Sequence, residues 1–410
     1  VAEAGWDVIV IGAGAAGLMA GINAAERGRR VLVFEKNRKP GVKILMSGGT
    51  RCNITQATDN HGIVAAYGPP GKFLHSALAA FSVQDTIGFF EAEGVATKVE
   101  ETGKIFPVSN KAFDVLDALL RRLERSGATL ALGEPVVAMR RSETGFFLDT
   151  AMRALNGDKV ILTTGGQSYP GVGTTGDGYR FAAQLGHRIV PPRPALVPLT
   201  TNLPWVAELR GITIADVGVR ILEQEKVQAQ RRGSLLFAHF GLSGPVILDV
   251  SRAVSGHAQP QTLVLEVDLL PALPAAALDE WLRTESLSSG KKQLAVVLAQ
   301  QVPRRLCETL LEHAGLVKER KAAALTRAER QRLVRAVKHL PIPLTGTLGF
   351  KKAEVTAGGV ALDEVDSRTM QSKLAPHFYL AGEILDLDGP IGGFNFQAAW
   401  STGWLAGASV

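Results

Sequence analysis

The chain has 410 residues, 46% hydrophobic and 20% charged, enough to bury a full core in two or three domains and with no apolar stretch suited to spanning a bilayer. Two cysteines, Cys52 and Cys307, and eight scattered histidines exclude a disulfide framework and a zinc-type ligand set, and point to a reducing cytoplasm. The formal charge of +6 is unevenly placed, since residues 291–339 hold twelve Lys/Arg against four Glu, a local excess of +8.

Residues 8–11 are an apolar, β-branched run too short for a helix, and they predict a buried strand. Gly12, Gly14 and Gly17 follow. In a strand–turn–helix unit the first glycine permits the tight turn, the second lets the backbone approach a pyrophosphate, and the third lets the helix pack closely on the strand. The phosphates then sit on the free N–H groups of the helix N-terminus. Residues 15–26 have Ala-rich helical spacing, Gly28 is a helix stop, and residues 31–34 read as a second buried strand ending in Glu35. Glu35 lies eighteen residues after Gly17, close to the roughly 20 at which an acid meets a ribose hydroxyl. Four glycines and Asn23 inside residues 8–25, with Asp7 before them and no basic leader, argue against a membrane span or a signal peptide.

Residues 36–56 read as a long glycine-rich loop with a polar cluster, Ser47, Arg51, Cys52 and Asn53, of the kind that lines a ligand beside a nucleotide strand. Cys52 is first a buried packing cysteine; a reactive thiol would need a lowered pKa. Residues 72–93 read as helical, and residues 103–114 as a turn and short strand leading to Ser109 or Asn110 as the cap of a helix ending near Arg125. Residues 129–138 alternate as a strand. Residues 160–163 form an apolar strand that runs into Gly165 and Gly166, and a second glycine-rich segment, 171–178, opens a helix near Tyr179. Such a return of the chain suits a cofactor with two nucleotide ends.

Four prolines between 191 and 198 read as a stiff exit linker. Residues 199–269 change to short β-rich runs and predict an inserted domain, with His239, Gly241 and Ser243 between apolar segments. Residues 275–339 have helical periodicity and carry the basic block, either a solvated helix face or a surface for a polyanion, of which nucleic acid is the leading candidate. Residues 377–381 read as a strand leading to Gly392, Gly393 and a helix from about Phe394, whose first N–H groups can face a phosphate or an electron-rich ring.

The motifs GAGAAG (12–17), KILMSGGTRCN (43–53), GKIFPVSNKA (103–112), TTGGQSYPGVGTTGDGY (163–179), HFGLSGP (239–245) and AGEILDLDGPIGGFNFQAAWSTG (381–403) occur in this order. Together they resemble the BaiN/aminoacetone oxidase family of NAD(P)/FAD-dependent oxidoreductases, the BaiN/RdsA-like flavoproteins. The resemblance runs nearly end to end. It implies an α/β, glutathione-reductase-like FAD-binding Rossmann domain, discontinuous over residues 1–195 and 341–410. A β-barrel-like domain at 196–270 and a small basic helical domain at 271–340 would be inserted into it. By matching position, the resemblance implies that Gly12, Gly14, Ala15, Ala16 and Gly17 hold the FAD pyrophosphate, that Glu35 holds the adenosine ribose, and that the segment around Val136 lies beside adenine. Lys36, Lys43 and Ser47 are carried over as further cofactor positions. Gly48, Gly49, Arg51, Cys52 and Asn53 would approach the flavin, as would Thr164, Gly165 and Gly166. Gly382, Glu383, Asp386, Gly392, Gly393, Phe394 and Asn395 would meet the ribitol and the isoalloxazine ring. Val42 and Thr50 stand where Lys and Gly are expected, a departure that bears on substrate shape.

The family's cofactor carries the hydride chemistry, and the protein supplies orientation and electrostatics. No second GxGxxG occurs, so NAD(P)H as a transient reductant would dock where the substrate later sits. The leading reading is an FAD-dependent oxidoreductase that reduces a C=C bond with NAD(P)H. The alternatives are a ribosomal-RNA dihydrouridine synthase whose basic helical module binds RNA, a small aminoketone oxidase, and a flavin-bound interaction protein without turnover. The partner is accordingly a small-molecule substrate or structured RNA. Reducing uracil needs hydride and a proton from an acid, for which Cys52, Tyr169 and His239 are candidates by location. The base would also have to leave its stack.

Overall fold

Strand β1 (Trp6–Ile11) carries a continuous apolar run because both of its faces are covered, as an inner strand of a parallel sheet requires. The computed structural model describes residues 5–410 and places β1 between β2 (Val31–Glu35), with Val8 opposite Val31, and the strand Ala154–Leu162, with Ile9 opposite Val160. β2 pairs outward with Thr129–Leu132, also in parallel. The far edge of Ala154–Leu162 is divided. Its first half pairs antiparallel with Phe146–Thr150, and its second half pairs parallel with Phe378–Leu380. The C-terminal part of the chain thus enters the same sheet, and its strand ends at the same edge as β1 and β2.

Helix α1 (Ala15–Glu26) is buried at every position from Ala16 to Ala25. A helix apolar all round must be covered on both sides. One side meets the sheet, where a Cβ on Gly21 would come within 2.8 Å of a Val33 methyl. The other meets the C-terminal helix Phe394–Ser409, whose Gly403 and Gly407 are set against the carbonyl oxygens of Ala16 and Ala20, with no room for a Cβ at either. Asn23 fastens the pair by donating to the Trp404 carbonyl at 2.7 Å.

Several local expectations are corrected. Residues 72–93 are broken at Phe81, because Ser82 and Asp85 form a capping box that starts a new helix, Val83–Ala92. The helix after the 103–107 strand, Ala112–Arg125, has Lys111 at its N-cap, and the Ser109 hydroxyl accepts from Lys111 N–H instead of capping. The strand read over 129–138 is two, divided between Leu132 and Val136 where Gly133 turns left-handed. Within the loop read over 36–56, residues from Val42 are helical until Ser47 unwinds (α2, Val42–Thr50). Three of the four prolines read as a linker, Pro191, Pro192 and Pro194, lie in a strand, Ile189–Ala195, paired with Val355–Val360 in a two-stranded sheet where the missing N–H groups are tolerated.

This first unit runs to Pro194 and resumes at Glu354; the second is Ala195–Ala353. The second unit has a seven-stranded sheet built around the long antiparallel pair Thr213–Glu223 and Lys226–Ala238. Its helices, among them Ala275–Ser288 and Arg327–Lys338, bury Leu278, Leu310 and Leu333 in one cluster with Leu265 and Val219 of the sheet. Segments 196–270 and 271–340, read from sequence as two domains, therefore share a core, as half-apolar layers must. Residues 341–353, read as part of the first domain, add the strands Leu340–Pro343 and Gly346–Thr347 to the second unit's sheet. No helix among the described residues is long and apolar enough to cross a membrane.

Replacing Gly403 with Ala puts a methyl against the Ala16 carbonyl, so unfolding by urea is expected to lose about 1–3 kcal/mol, the usual cost of overpacking. An unchanged midpoint and slope would show that the two helices have slack.

Candidate active site

Five parallel strands deliver their carboxyl ends to one edge, and the segments that leave them build the site. This is the edge at which open α/β sheets bind ligands. β1 runs into Gly12, whose N–H donates to the Phe34 carbonyl at 2.8 Å and whose φ of +108° suits glycine. A Cβ on Gly12 would come within 2.7 Å of the Thr163 carbonyl oxygen. The Thr163 hydroxyl in turn donates toward the carbonyls of Ile11 and Gly12. Gly17 abuts the Gly12 carbonyl with no space for a side chain, whereas a Cβ on Gly14 would meet nothing within 4 Å. The three glycines thus divide into two that pack and one that faces open space, where Ala15 and Ala16 begin α1. Among the described residues no side chain caps that helix.

Glu35, at the end of β2, is buried and accepts from Ala13 N–H at 3.1 Å and Asn37 N–H at 2.8 Å, which fixes its carboxylate beside the glycine turn. Glu134 N–H donates to the Glu35 carbonyl, so the chain entering at Val136 runs beside it. Lys36 turns away to Asp177, 2.6 Å distant, and Thr175.

The strand Ala154–Leu162 runs into Thr163, Thr164, Gly165 and Gly166, and Phe378–Leu380 runs into Gly382 and Glu383. Glu383 is the junction. One of its carboxylate oxygens accepts from Lys43 Nζ at 2.6 Å; the other accepts from the Ser168 hydroxyl at 2.8 Å and Thr356 N–H at 2.9 Å. Lys43 also reaches Ser168 Oγ at 2.9 Å, and Thr356 Oγ1 accepts from the N–H groups of Gln167 and Ser168. Gly166 has no room for a Cβ between Thr356 and Glu383. Asp386 holds Gly358 N–H at 3.0 Å. Ser168 and Thr356 were missed in the sequence, because a lone hydroxyl in a glycine-rich or β-rich run carries no signal of its partner.

The unwound end of α2 and the residues that follow it carry an unusual backbone. Gly48, Gly49, Thr50 and Cys52 all have positive φ, and for Thr50 and Cys52 this conformation is strained. Arg51 stacks over Phe106 at 4.0 Å and pairs with Glu100 at 2.7 Å. Asn53 joins this loop to the C-terminal helix: its NH2 donates to the Thr55 and Ile105 carbonyls, and its oxygen accepts Gly393 N–H at 3.0 Å. Gly393, with φ of +93°, leaves the N-terminus of Phe394–Ser409 without a side-chain cap, while Asn395 closes the preceding turn on Gly389.

The two uncapped helices are parallel, and Gly403 lies level with Ala16. Nine residues separate Phe394 from Gly403, so the second N-terminus lies ~14 Å beyond the first at 1.5 Å per residue. One helix end can hold a pyrophosphate while the other faces a ring further along the same molecule. Two buried hydroxyls at this edge, Thr164 Oγ1 and Tyr179 Oη, have no partner among the described residues, and burial, helped by Glu383 and Asp386, keeps the Tyr179 phenol protonated. Open space at Gly14, a carboxylate at the ribose position, two helix N-termini and orphaned hydroxyls fit an extended dinucleotide such as FAD.

The three acid candidates separate clearly. Burial pushes the Cys52 thiol up to about 12 despite a hydrogen bond with Ser47, and it is sealed from solvent. His239 stands exposed on the turn between Lys226–Ala238 and Gly241–Ser243 of the second unit, against Phe240. Tyr169 follows Ser168 directly, adopts φ of +55° and is half-buried; burial and Glu354 raise its pKa, so its proton is present at neutral pH.

Lys43→Met would leave Glu383 facing two donors instead of a cation, and urea unfolding is expected to lose about 1–3 kcal/mol for a half-buried charge left unpaired. Lys43→Met with Glu383→Gln should recover part of that loss; equal losses in single and double variants would show the pair is not coupled. Native protein at pH 8 should leave Cys52 unmodified by iodoacetamide and become reactive on unfolding, since both thiols are buried, with Cys307 raised to about 11. Fast alkylation of native Cys52 would contradict its burial.

The family model for the HI0933-like protein Rossmann domain matches residues 6–409. The chain is 36% identical over 399 residues to the ribosomal RNA dihydrouridine synthase of Escherichia coli, covering 97% of this chain and 96% of that one. It is 33% identical over 406 residues to the 3-dehydro-bile acid delta(4,6)-reductase of Clostridium scindens, covering 98% of each. Its fold is similar to that of 3-ketosteroid delta1-dehydrogenase from Sterolibacterium denitrificans, with a TM-score of 0.51 at 15% identity over 98% of each chain. With a dinucleotide cradle of this form and a match across nearly its whole length, the chain belongs to the HI0933-like Rossmann family and is an FAD-dependent oxidoreductase.

Proposed function

We propose that this flavoprotein saturates the C=C bond of an α,β-unsaturated carbonyl, and that its substrate is uracil within ribosomal RNA. One chemical observation carries the reading. The relatives are named for a dihydrouridine product and for a 3-dehydro, delta(4,6) substrate. In both, the double bond is conjugated to a carbonyl, so hydride goes to the β-carbon and a proton to the α-carbon. Bound FAD supplies the hydride.

The chain's residues supply the rest. Gly12, Gly14 and Gly17 with the N-terminus of α1 bind the pyrophosphate, Glu35 orients the ribose, and the segment at Val136 lies along the adenine. The Glu383 junction fixes the loops at Lys43, Ser168 and Thr356 relative to one another, which holds the groups around the cofactor in one geometry. The unpaired N–H groups at Phe394 present positive potential to the ring end. Tyr169 is the proton donor: Ser168 anchors its backbone, its left-handed conformation is the kind of strain found at functional positions, and its phenol is protonated at neutral pH. Each turnover places one hydride and one proton on the substrate, and the Tyr169 phenolate regains its proton from water. NAD(P)H is the reductant, docking transiently in the same cleft, since the chain has no second dinucleotide fingerprint.

Nucleoside mass spectrometry of ribosomal RNA is the direct test. Dihydrouridine should disappear from cells lacking this gene and return with the wild-type chain. Tyr169→Phe should restore at most about 1% of it, in keeping with the 10²–10⁴-fold contribution of a general acid. The purified variant should still bind FAD and be bleached by NAD(P)H without oxygen. Unchanged dihydrouridine in the deletion strain removes the uracil assignment, and a fully active Tyr169→Phe removes the proton donor.

A further inference from the structure

The excess positive charge between residues 291 and 339 is not a uniform surface, because the fold consumes part of it. Lys318 lies 3.0 Å from Glu308 and 3.4 Å from Glu312, and Arg320 is 2.7 Å from Glu329. Two acids from outside the block neutralise two more cations: Asp279 pairs with Arg330 and Asp268 with Lys338, both at 2.7 Å, where the basic side chains are 13% and 10% exposed. Arg305 and Arg332 donate to the carbonyls of Glu208 and Ala314. The arginines of Arg327–Lys338 therefore do not form one continuous basic face.

Topology gathers part of the remainder. Residues 290–294 and 320–323 run antiparallel: Leu294 N–H donates to the Arg320 carbonyl at 2.7 Å, Ala322 N–H to that of Lys292 at 3.0 Å, and Ala323 N–H to that of Gly290 at 3.2 Å. Gln293 stands opposite Lys321. Lys291 and Lys292 occupy the turn that directly precedes Gln293, so the chain carries both to the neighbourhood of Lys321. Lys292, next to Lys291 in sequence, donates to the Ser289 hydroxyl at 3.4 Å. All three lysines are exposed, and among the described residues none has a carboxylate within ion-pairing distance. Glu319, exposed on the same segment, leaves the cluster net positive.

We propose that this paired segment, with Lys291, Lys292 and Lys321, docks the phosphate backbone of RNA. Flexible ammonium groups with no shaped pocket suit a row of phosphates, whereas a single shaped anion would call for the rigid fork of arginine. The identity of the partner rests on the uracil-in-RNA reading; the location of the surface rests on the charge pairing and on the bridge between Gln293 and Lys321.

The test uses the FAD-loaded protein, fluorescein-labelled oligouridylate and protein-free ribosomal RNA, with binding followed by anisotropy across a salt series. K291Q/K292Q/K321Q is expected to make the slope of log affinity against log salt shallower by about 2–3 and to weaken binding roughly 10- to 100-fold at ~0.1 M salt. R232Q/R283Q/K318Q removes the same charge from cations already paired with Asp216, Glu280 and Glu308, and should leave the slope nearly unchanged. The charge-preserving K291R/K292R/K321R should keep the wild-type slope, and single K291Q or K321Q, if the triple variant does not fold, should each take about one from it. Equal losses in both triple-glutamine variants, an unchanged slope in the lysine variant, or a wild type without salt-dependent binding each overturn the surface. Dihydrouridine formation reads the substrate separately. A wild type that makes dihydrouridine but whose slope survives the lysine replacements loses the surface alone, and one that binds RNA through these lysines yet makes no dihydrouridine loses the substrate assignment alone.

Discussion

The Glu383 carboxylate is the constraint on which the site depends. It takes three donors, from Lys43, Ser168 and Thr356, and these lie on segments separated by more than three hundred residues of chain. Each donor belongs to a different connection: the helix after β2, the glycine turn after Ala154–Leu162, and the strand Val355–Val360. A carboxylate so placed could not be left without its cation at little cost, and a cation so placed could not be left without its carboxylate. The network therefore holds the second chain return in register with the first, and the glycine turn at Gly12 acquires a partner for the far end of the cofactor.

How much of this was legible depends on the range of the interaction. The β1–α1–β2 unit was read almost to the residue, because strand length, helical spacing and the spacing from Gly17 to Glu35 are properties of one short stretch. The C-terminal helix was placed at Phe394 for the same reason. What the sequence could not carry is any feature decided by a distant partner. The edge of Ala154–Leu162 is shared by two strands of opposite direction, and nothing in its own residues says so. The prolines at 191–194 read as a linker because their rigidity was visible and the partner strand Val355–Val360 was not. Ser82 was passed over inside an apolar run, although its spacing to Asp85 is a capping signal that a closer reading would find.

The acid candidates illustrate the same limit in electrostatic form. Cys52, Tyr169 and His239 looked alike in sequence, each a titratable group inside a motif. Burial separates Cys52 from them, since a thiol held near a pKa of about 12 inside apolar surroundings neither donates nor attacks readily at neutral pH. Its positive φ, like that of Thr50, instead bends the backbone so that Asn53 meets Gly393. The motif residue serves geometry, and the proton donor of the proposed function is placed instead on the half-exposed residue beside the anchored Ser168.

Charge obeys a comparable rule. A formal excess of +8 over residues 291–339 measures composition, and a ligand meets only the cations that the fold has not already paired. Asp268 and Asp279 lie outside the block in sequence and inside it in space, so a window count could not subtract them. The distinction matters for specificity within this family. Conjugate reduction makes the same electronic demand of a uracil and of an unsaturated steroid ketone, so the cofactor cradle can be common to relatives with different substrates. A nucleic acid differs from a steroid chiefly in its row of phosphates. The residues that tell them apart should then be surface cations outside the cradle, and an antiparallel bridge between Gln293 and Lys321, with Lys291 and Lys292 in the turn before it, is a way to make such a surface from two short stretches of chain.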